Sequence, residues 1–358
     1  MSDGASEVRN SYSAEEILAS QSYEEPLIAN GVRCHGGFDA GGQYRSPRTL
    51  YRAPAIQAWQ AQLAHDGHAL VEISSALMPP QYPNAEQAKL LLRNGVREPL
   101  VRALTIISIV EGFGAMIRDV RVPSLRELLV EPIDGTALDH LEGGLFEAHA
   151  RDESGYRDEG GHKQMWEAAR DAALENPKVP GDVLMRLMGR RGRGPRPEPA
   201  FPEIGEPLER MLGFMANVLV VEVVAAGTFQ WGIDVLSDPE VSAAPEVAGG
   251  MVRNIQLDEQ PHVEYLRTAL SEVRARTIRT VDGKPISGAV VIDGLLHRTL
   301  SQMTRNRRED QRDDVREGLV ESMQAVKNPG SLLEQFEALE SSWMAPEKTG
   351  FEPTSHAA

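Results

Sequence analysis

Apolar residues recur every three or four positions along most of this chain, and the expected fold class is therefore all-α. The spacing from Tyr82 onward predicts one long helix, capped near Asn84, bent at Pro99 and ending around Val120. A second long helix is expected over Leu208–Ser237, "LERMLGFMANVLVVEVVAAGTFQWGIDVLS". It is apolar almost all round, as a helix central to a bundle is. A third should run from about Ala244 to Ile278, and a strongly charged one from Leu295 to Val326. Residues 137–176 read as helical with a break near Ser154–Gly155. A short helix is expected after Pro54, and another within the connector 120–136.

Between these stretches the pattern changes. Residues 1–45 are polar and rich in glycine, and read as a mobile or draped N-terminal arm. β-branched residues flank Asp282–Gly283, which predicts a small hairpin. Residues 176–207 form a connector rich in Pro, Gly and Arg, whose basic run "GRRGRGPRP" reads as a solvated loop. One helical domain is expected over 46–345, with a frayed tail over 346–358.

Charge and composition narrow the function classes. The net charge of −16 disfavours nucleic acid and anionic membranes as partners. The single cysteine, Cys34, excludes an internal disulfide and fits a reducing, cytoplasmic setting. No signal-peptide pattern is seen, and no run of about 18 uninterrupted apolar residues predicts a membrane span.

One segment conflicts with its own helix. In "LDEQPH", Pro261 stands directly before His262, although a proline inside a helix costs about 3 kcal/mol. The pattern has a twin: "DEGGH" at 158–162 and "DEQPH" at 258–262 both read Asp-Glu-x-x-His. In a helix, positions i and i+3 share a face, so Glu159 can aim with His162 and Glu259 with His262. Two more carboxylates, Glu111 and Glu222, are the sole charges in apolar helical runs. An unpaired buried carboxylate costs several kcal/mol, so each needs a partner: a metal, an arginine from elsewhere, or a proton.

This order of Glu, Glu-x-x-His, Glu, Glu-x-x-His resembles the ferritin-like di-iron carboxylate superfamily, over roughly residues 92–279. The resemblance implies a ferritin-like four-helix bundle with additional peripheral helices. It implies metal ligation by Glu111, Glu159, His162, Glu222, Glu259 and His262, with Glu159 and Glu259 touching both metals. Asp158 and Asp258 can then hold histidine rings in orientation, or face solvent. Pro261, like Gly160 and Gly161, would loosen the backbone at the metal.

One spacing departs from the pattern. Glu159 follows Glu111 by 48 residues, whereas Glu259 follows Glu222 by 37. The surplus falls in 120–155, which holds Glu142, Glu147, His149, Asp152 and Glu153. His149 and Glu153 lie one turn apart and can form a further ligand pair, or simply a charged helix face.

The resemblance implies two iron ions, with manganese or a mixed pair also suited to such ligands. The implied activity is that of a dioxygen-activating, non-haem di-iron oxidoreductase: a hydroxylase, a desaturase or another oxidase of a small organic substrate. Its electrons would come from a ferredoxin or reductase, since no flavin or nicotinamide fingerprint is present. The alternative is a ferroxidase or metal-sequestering protein, and a third reading is a metal-free helical scaffold. A homodimer is compatible with either metal-binding reading. Trp166 stands where radical-forming relatives carry tyrosine, which disfavours a stored radical. No additional histidine lies between Glu222 and Glu259, which disfavours the N-oxygenase type. The small residues Gly112, Gly114, Ala115, Ala225, Ala226 and Gly227 can open a substrate pocket or permit close helix packing.

Overall fold

The computed structural model describes residues 9–74, 81–183, 198–305 and 309–341. Among the described residues helix dominates, and strand is confined to two small antiparallel sheets. The basic run at 189–197 and the tail at 346–358 lie outside the described residues.

The N-terminal segment is folded from residue 9, not a mobile arm. A short helix, α1 (Ala14–Ile17), buries Ile17 completely. Three strands follow, β1 (Glu25–Ala29), β2 (Val32–Phe38) and β3 (Tyr44–Arg45), in the order β1-β2-β3. Asn30 and Gly31 both have positive φ between β1 and β2, the two-residue turn that an Asn-Gly pair favours. Cys34 and His35 of β2 are buried, and this burial anchors the segment to the helices.

Helix α2 (Arg52–His65) begins before Pro54, which falls in its first turn where no backbone donor is needed. The expected long helix from Asn84 is two. α3 (Ala85–Arg93) carries a reciprocal cap between Asn84 and Gln87 and stops before Gly95, whose φ is +77°. α4 (Glu98–Gly114) then starts afresh, with Pro99 in its first turn. A 3-10 turn over Ala115–Asp119 completes it, and the short α5 (Leu125–Leu128) lies in the connector.

Helices α6 (Phe146–Ser154) and α7 (His162–Leu174) are parted at the expected break, Ser154–Gly155. The apolar helix α8 (Glu206–Leu236) is continuous over 31 residues. The last expected core helix divides at Glu259 into α9 (Pro245–Asp258) and α10 (Gln260–Arg274). Pro261 has no N–H to give to Leu257, and His262 N–H instead bonds Glu259 O at 3.0 Å, a tighter turn. The hairpin around Asp282–Gly283 forms, with β4 (Thr277–Arg279) paired to β5 (Pro285–Ser287). α11 (Gly288–Arg305), α12 (Glu309–Met323) and α13 (Pro329–Ser341) finish the chain.

α4 packs on α6 and α7, α7 on α9, and α8 on α9, α10 and α11. The apolar interior falls into two clusters. One gathers Ile117, Phe146, Met215, Leu219 and Tyr265; the other gathers Leu104, Trp166, Phe229 and Ile255. Glu111, Glu222 and Glu259 lie between these positions along the chain, so a polar layer marks the seam between the two cores.

By length and composition, Glu98–Asp119 and Glu206–Leu236 are long and apolar enough to cross a membrane, although each holds a glutamate, Glu111 or Glu222, well inside it. Those glutamates are the ones at the seam.

Candidate metal centre

Seven side chains converge at the seam: Glu111 from α4, His149 and Glu153 from α6, His162 from α7, Glu222 from α8, and Glu259 and His262 from the α9–α10 junction. Their potential ligand atoms form two groups, each within 4.8 Å of one another, and His162 also belongs to a third with His35 and Asp258. Glu111, Glu153, His162 and Glu259 form the first; His149, Glu153, Glu222 and His262 form the second.

Two carboxylates span both groups. Glu259 sets Oε1 2.8 Å from His162 Nδ1 and Oε2 2.5 Å from His262 Nδ1. Glu153 sets Oε2 3.5 Å from His162 Nδ1 and Oε1 3.5 Å from both His262 Nδ1 and His149 Nε2. Glu222 reaches His149 Nε2 at 3.4 Å, and Glu111 reaches His162 Nδ1 at 3.8 Å.

Five of the six expected ligands are therefore brought together, and Glu159 is not. It lies in a loop, Gly155–Gly161, with its side chain 40% exposed and 3.3 Å from Arg33. The loop closes on itself through Tyr156 and Glu159, whose backbones bond each other at 2.9 and 3.1 Å. Its other side is held by β2: His35 N–H bonds Gly160 O, and Gly160 N–H bonds Arg33 O. A side chain at Gly161 would strike the backbone of Asp152 and Gly155, and Gly155 has φ +82°. The i, i+3 argument for Glu159 and His162 fails because Glu159 lies in the loop and the helix begins only at His162.

Glu153 takes the place assigned to Glu159. The sequence repeats itself here, with Arg151-Asp152-Glu153 followed by Arg157-Asp158-Glu159, and the fold turns the first copy inward. Asp158 is exposed and holds no histidine. The signal for Glu153 was present in the excess spacing and in the glycine-rich stretch behind Ser154. Of the other charges in that region, Glu142 is exposed and Glu147 pairs with Arg151 at 2.7 Å.

The aspartates work crosswise. Asp152, next to Glu153, accepts from His262 Nε2 at 2.9 Å, and Asp258, next to Glu259, stands 3.6 Å from His162 Nε2. Arg48 and Arg52 both bond Asp152, with Arg48 Nε at 2.6 Å and Arg52 Nη2 at 2.8 Å. Tyr44 donates to Asp258 at 2.8 Å, and His35 Nε2 lies 3.4 Å from it. Two of these four supports, His35 and Tyr44, come from the segment read as an arm, and Arg48 and Arg52 follow directly after it.

Electrostatics follow from burial. Burial, reinforced by Glu153 and Glu259, pushes the Glu111 carboxyl well above its usual range. Burial and the same two neighbours do this to Glu222. Burial would also raise Glu259, but His162 and His262 hold it well below. Those two histidines are held well above their ordinary value, against burial, chiefly by Glu259. Burial, aided by His262, drives His149 well below.

This donor set fits a pair of divalent cations. His149 Nε2 and Glu153 Oε2 are buried without a hydrogen-bond partner, and His162 Nδ1 and Glu259 Oε1 lie 2.8 Å apart without hydrogen-bond geometry. Buried polar atoms are rarely left so. Approaches of 3.4–3.5 Å recur among the imidazoles and carboxylates, longer than hydrogen bonds. Donors bound to one ion at about 2.0–2.2 Å stand roughly 3.0–3.5 Å from each other. Once all are deprotonated, the four glutamates would bring four negative charges, which two divalent ions would cancel.

Gly114 serves close packing, since a side chain there would meet Glu153 Cγ at 2.6 Å. Trp166 is fully buried and stacks on Phe229. Tyr265, also buried, places its hydroxyl 3.1 Å from His149 Nδ1. No family model, curated protein or solved structure matches the chain.

Proposed function

We propose that this chain is a ferritin-like di-metal protein, and that its activity is dioxygen-dependent oxidation of a small organic substrate at a pair of iron ions. One observation carries the reading: six buried donors and the partly buried Glu111, two of the seven being shared carboxylates, meet at a seam between apolar cores with unpartnered atoms among them. In the ferritin-like arrangement the core comprises α4, the broken α6–α7 pair, α8, and the α9–α10 pair, each contributing ligands.

The site would be formed by Glu111, Glu153, His162 and Glu259 for one ion, and by His149, Glu153, Glu222, Glu259 and His262 for the other. Bound there, iron would supply the electron exchange with dioxygen that side chains alone lack. The chain's own part is to hold the donors. Asp152 keeps a proton on His262 Nε2, which leaves Nδ1 facing Glu259 and Glu153. The apolar cores on either side exclude water and strengthen every charge interaction in the seam.

Glu111 and Glu222 are the most exposed of the ligands, at 10% and 7%. Val110 and Met116, beside Glu111 on the same helical stretch, are each 42% exposed. This supports approach of an apolar substrate from the α4 side. A third histidine is what the resemblance associates with the N-oxygenase type, where it precedes the last pair. His149 precedes the first pair instead, so amines join hydrocarbons among the substrates to test.

The experiment is metal analysis of protein purified without chelator, followed by oxygen uptake after reduction. Two iron equivalents and uptake that depends on an added organic substrate support the reading. Uptake driven by Fe(II) alone identifies a ferroxidase, and absence of bound metal removes both.

A further inference from the structure

The two halves of the centre are built unequally. Glu153 and Glu259 are common to both. Beyond them, one half adds His149, Glu222 and His262, and the other adds only Glu111 and His162.

The halves also differ in how firmly their donors are set. His262 is fixed by its 2.9 Å hydrogen bond to Asp152, whose two oxygens are tied by Arg48 and Arg52. His149 is fixed by the Tyr265 hydroxyl at 3.1 Å. The two rings stack at 3.8 Å and 10°, so neither turns without the other. On the other side, His162 Nε2 is 3.6 Å from Asp258 and has no hydrogen-bond partner. The nearer Asp258 oxygen accepts the Tyr44 hydroxyl instead. Glu111 stands farthest from its histidine, at 3.8 Å, and is the most exposed ligand.

We propose that the His149/Glu222/His262 half takes metal first and holds it more tightly, while the Glu111/His162 half is the open and exchangeable one. The proposal rests on the di-metal reading above. Its physical grounds are two. An added imidazole strengthens binding of the later first-row divalent ions. A donor already held in its bound orientation loses less freedom when the ion arrives.

The test is anaerobic titration of chelator-stripped, full-length protein with Co(II), whose visible absorption reports each equivalent. Wild-type protein should fill in two phases. Tyr265→Phe keeps the ring and its packing but removes the support of His149. It should weaken the first phase by about 10–100-fold and spare the second. Tyr44→Phe, behind the other half, should leave the first phase unchanged. Three results overturn the proposal: filling in a single phase of two equal equivalents, a Tyr265→Phe protein that fills like wild type, or a first phase weakened by Tyr44→Phe. Failure of every protein to bind Co(II) is a separate result, and overturns the di-metal reading itself.

Discussion

Asp152 and His262 lie 110 positions apart in sequence, yet meet at 2.9 Å, and the aspartate that follows this pattern in the other half backs His162 in return. Each of these two histidines thus faces an aspartate from the other helix pair, at hydrogen-bond distance for His262 and farther off for His162.

Substitution at the repeated Arg-Asp-Glu segments separates the two candidate glutamates. Glu153→Gln should reduce metal content from two equivalents to one or fewer, because the shared carboxylate is lost from both groups. Glu159→Gln should retain wild-type content, since its side chain faces Arg33 at the surface. Elemental analysis of both proteins checks this, and the reverse ranking would restore the Glu-x-x-His assignment.

Metal loading should release protons. Without metal, Glu259 holds His162 and His262 in their charged forms against the effect of burial. Burial, together with Glu153 and Glu259, keeps Glu111 and Glu222 protonated. Divalent ions should therefore displace protons on binding, and affinity should fall as the pH falls. A pH-stat titration measures the release, and a value near zero contradicts this charge balance.

Arg52 should matter for stability out of proportion to its surface role, because it has none: it is fully buried against Asp152. Arg52→Met leaves that carboxylate with Arg48 as its remaining arginine, and should cost about 3 kcal/mol in denaturant unfolding. The same change in an Asp152→Asn background should cost clearly less. Equal costs in the two backgrounds would show that the arginine acts by packing.

Glu272 gives a pH dependence remote from the centre. Burial raises its carboxyl to about 7 from 4.5, although the N–H groups of Ala137 and Leu138 donate to it and oppose the rise. A raised acid favours the folded state while neutral. Its contribution is complete below pH 4.5 and is lost as the pH rises through 7, by about 3 kcal/mol in all. Denaturant unfolding of metal-free protein at pH 5 and pH 8 should show this loss in wild type and not in Glu272→Gln. Parallel losses in the two proteins would place the dependence elsewhere.

The helices were legible because their apolar period is long and their caps are local: Asn84 with Gln87 is written in four consecutive residues. Glu111 and Glu222 were legible as lone charges in apolar runs, and both reach the seam. The register of the first pair was not. Spacing alone selects Glu159 over Glu153, and only the backbone of Gly155, Gly160 and Gly161 excludes it. The N-terminal sheet was missed because its strands are short and glycine-interrupted, although Asn30–Gly31 carried the turn signal. The supports from Tyr44, Arg48 and Arg52 join residues 100 or more positions away, and no local pattern encodes such distances.

Those distances order events during synthesis. Tyr44, His35 and the two arginines leave the ribosome long before their partners exist. Arg52 must await Asp152, 100 residues later, and Tyr44 must await Asp258, 214 residues later. Closing such long loops is slow relative to forming the helices themselves. The nascent chain therefore carries two unneutralised arginines until Asp152 is made, and Tyr44 waits until the last core helix, so an early segment is among the last to find its place.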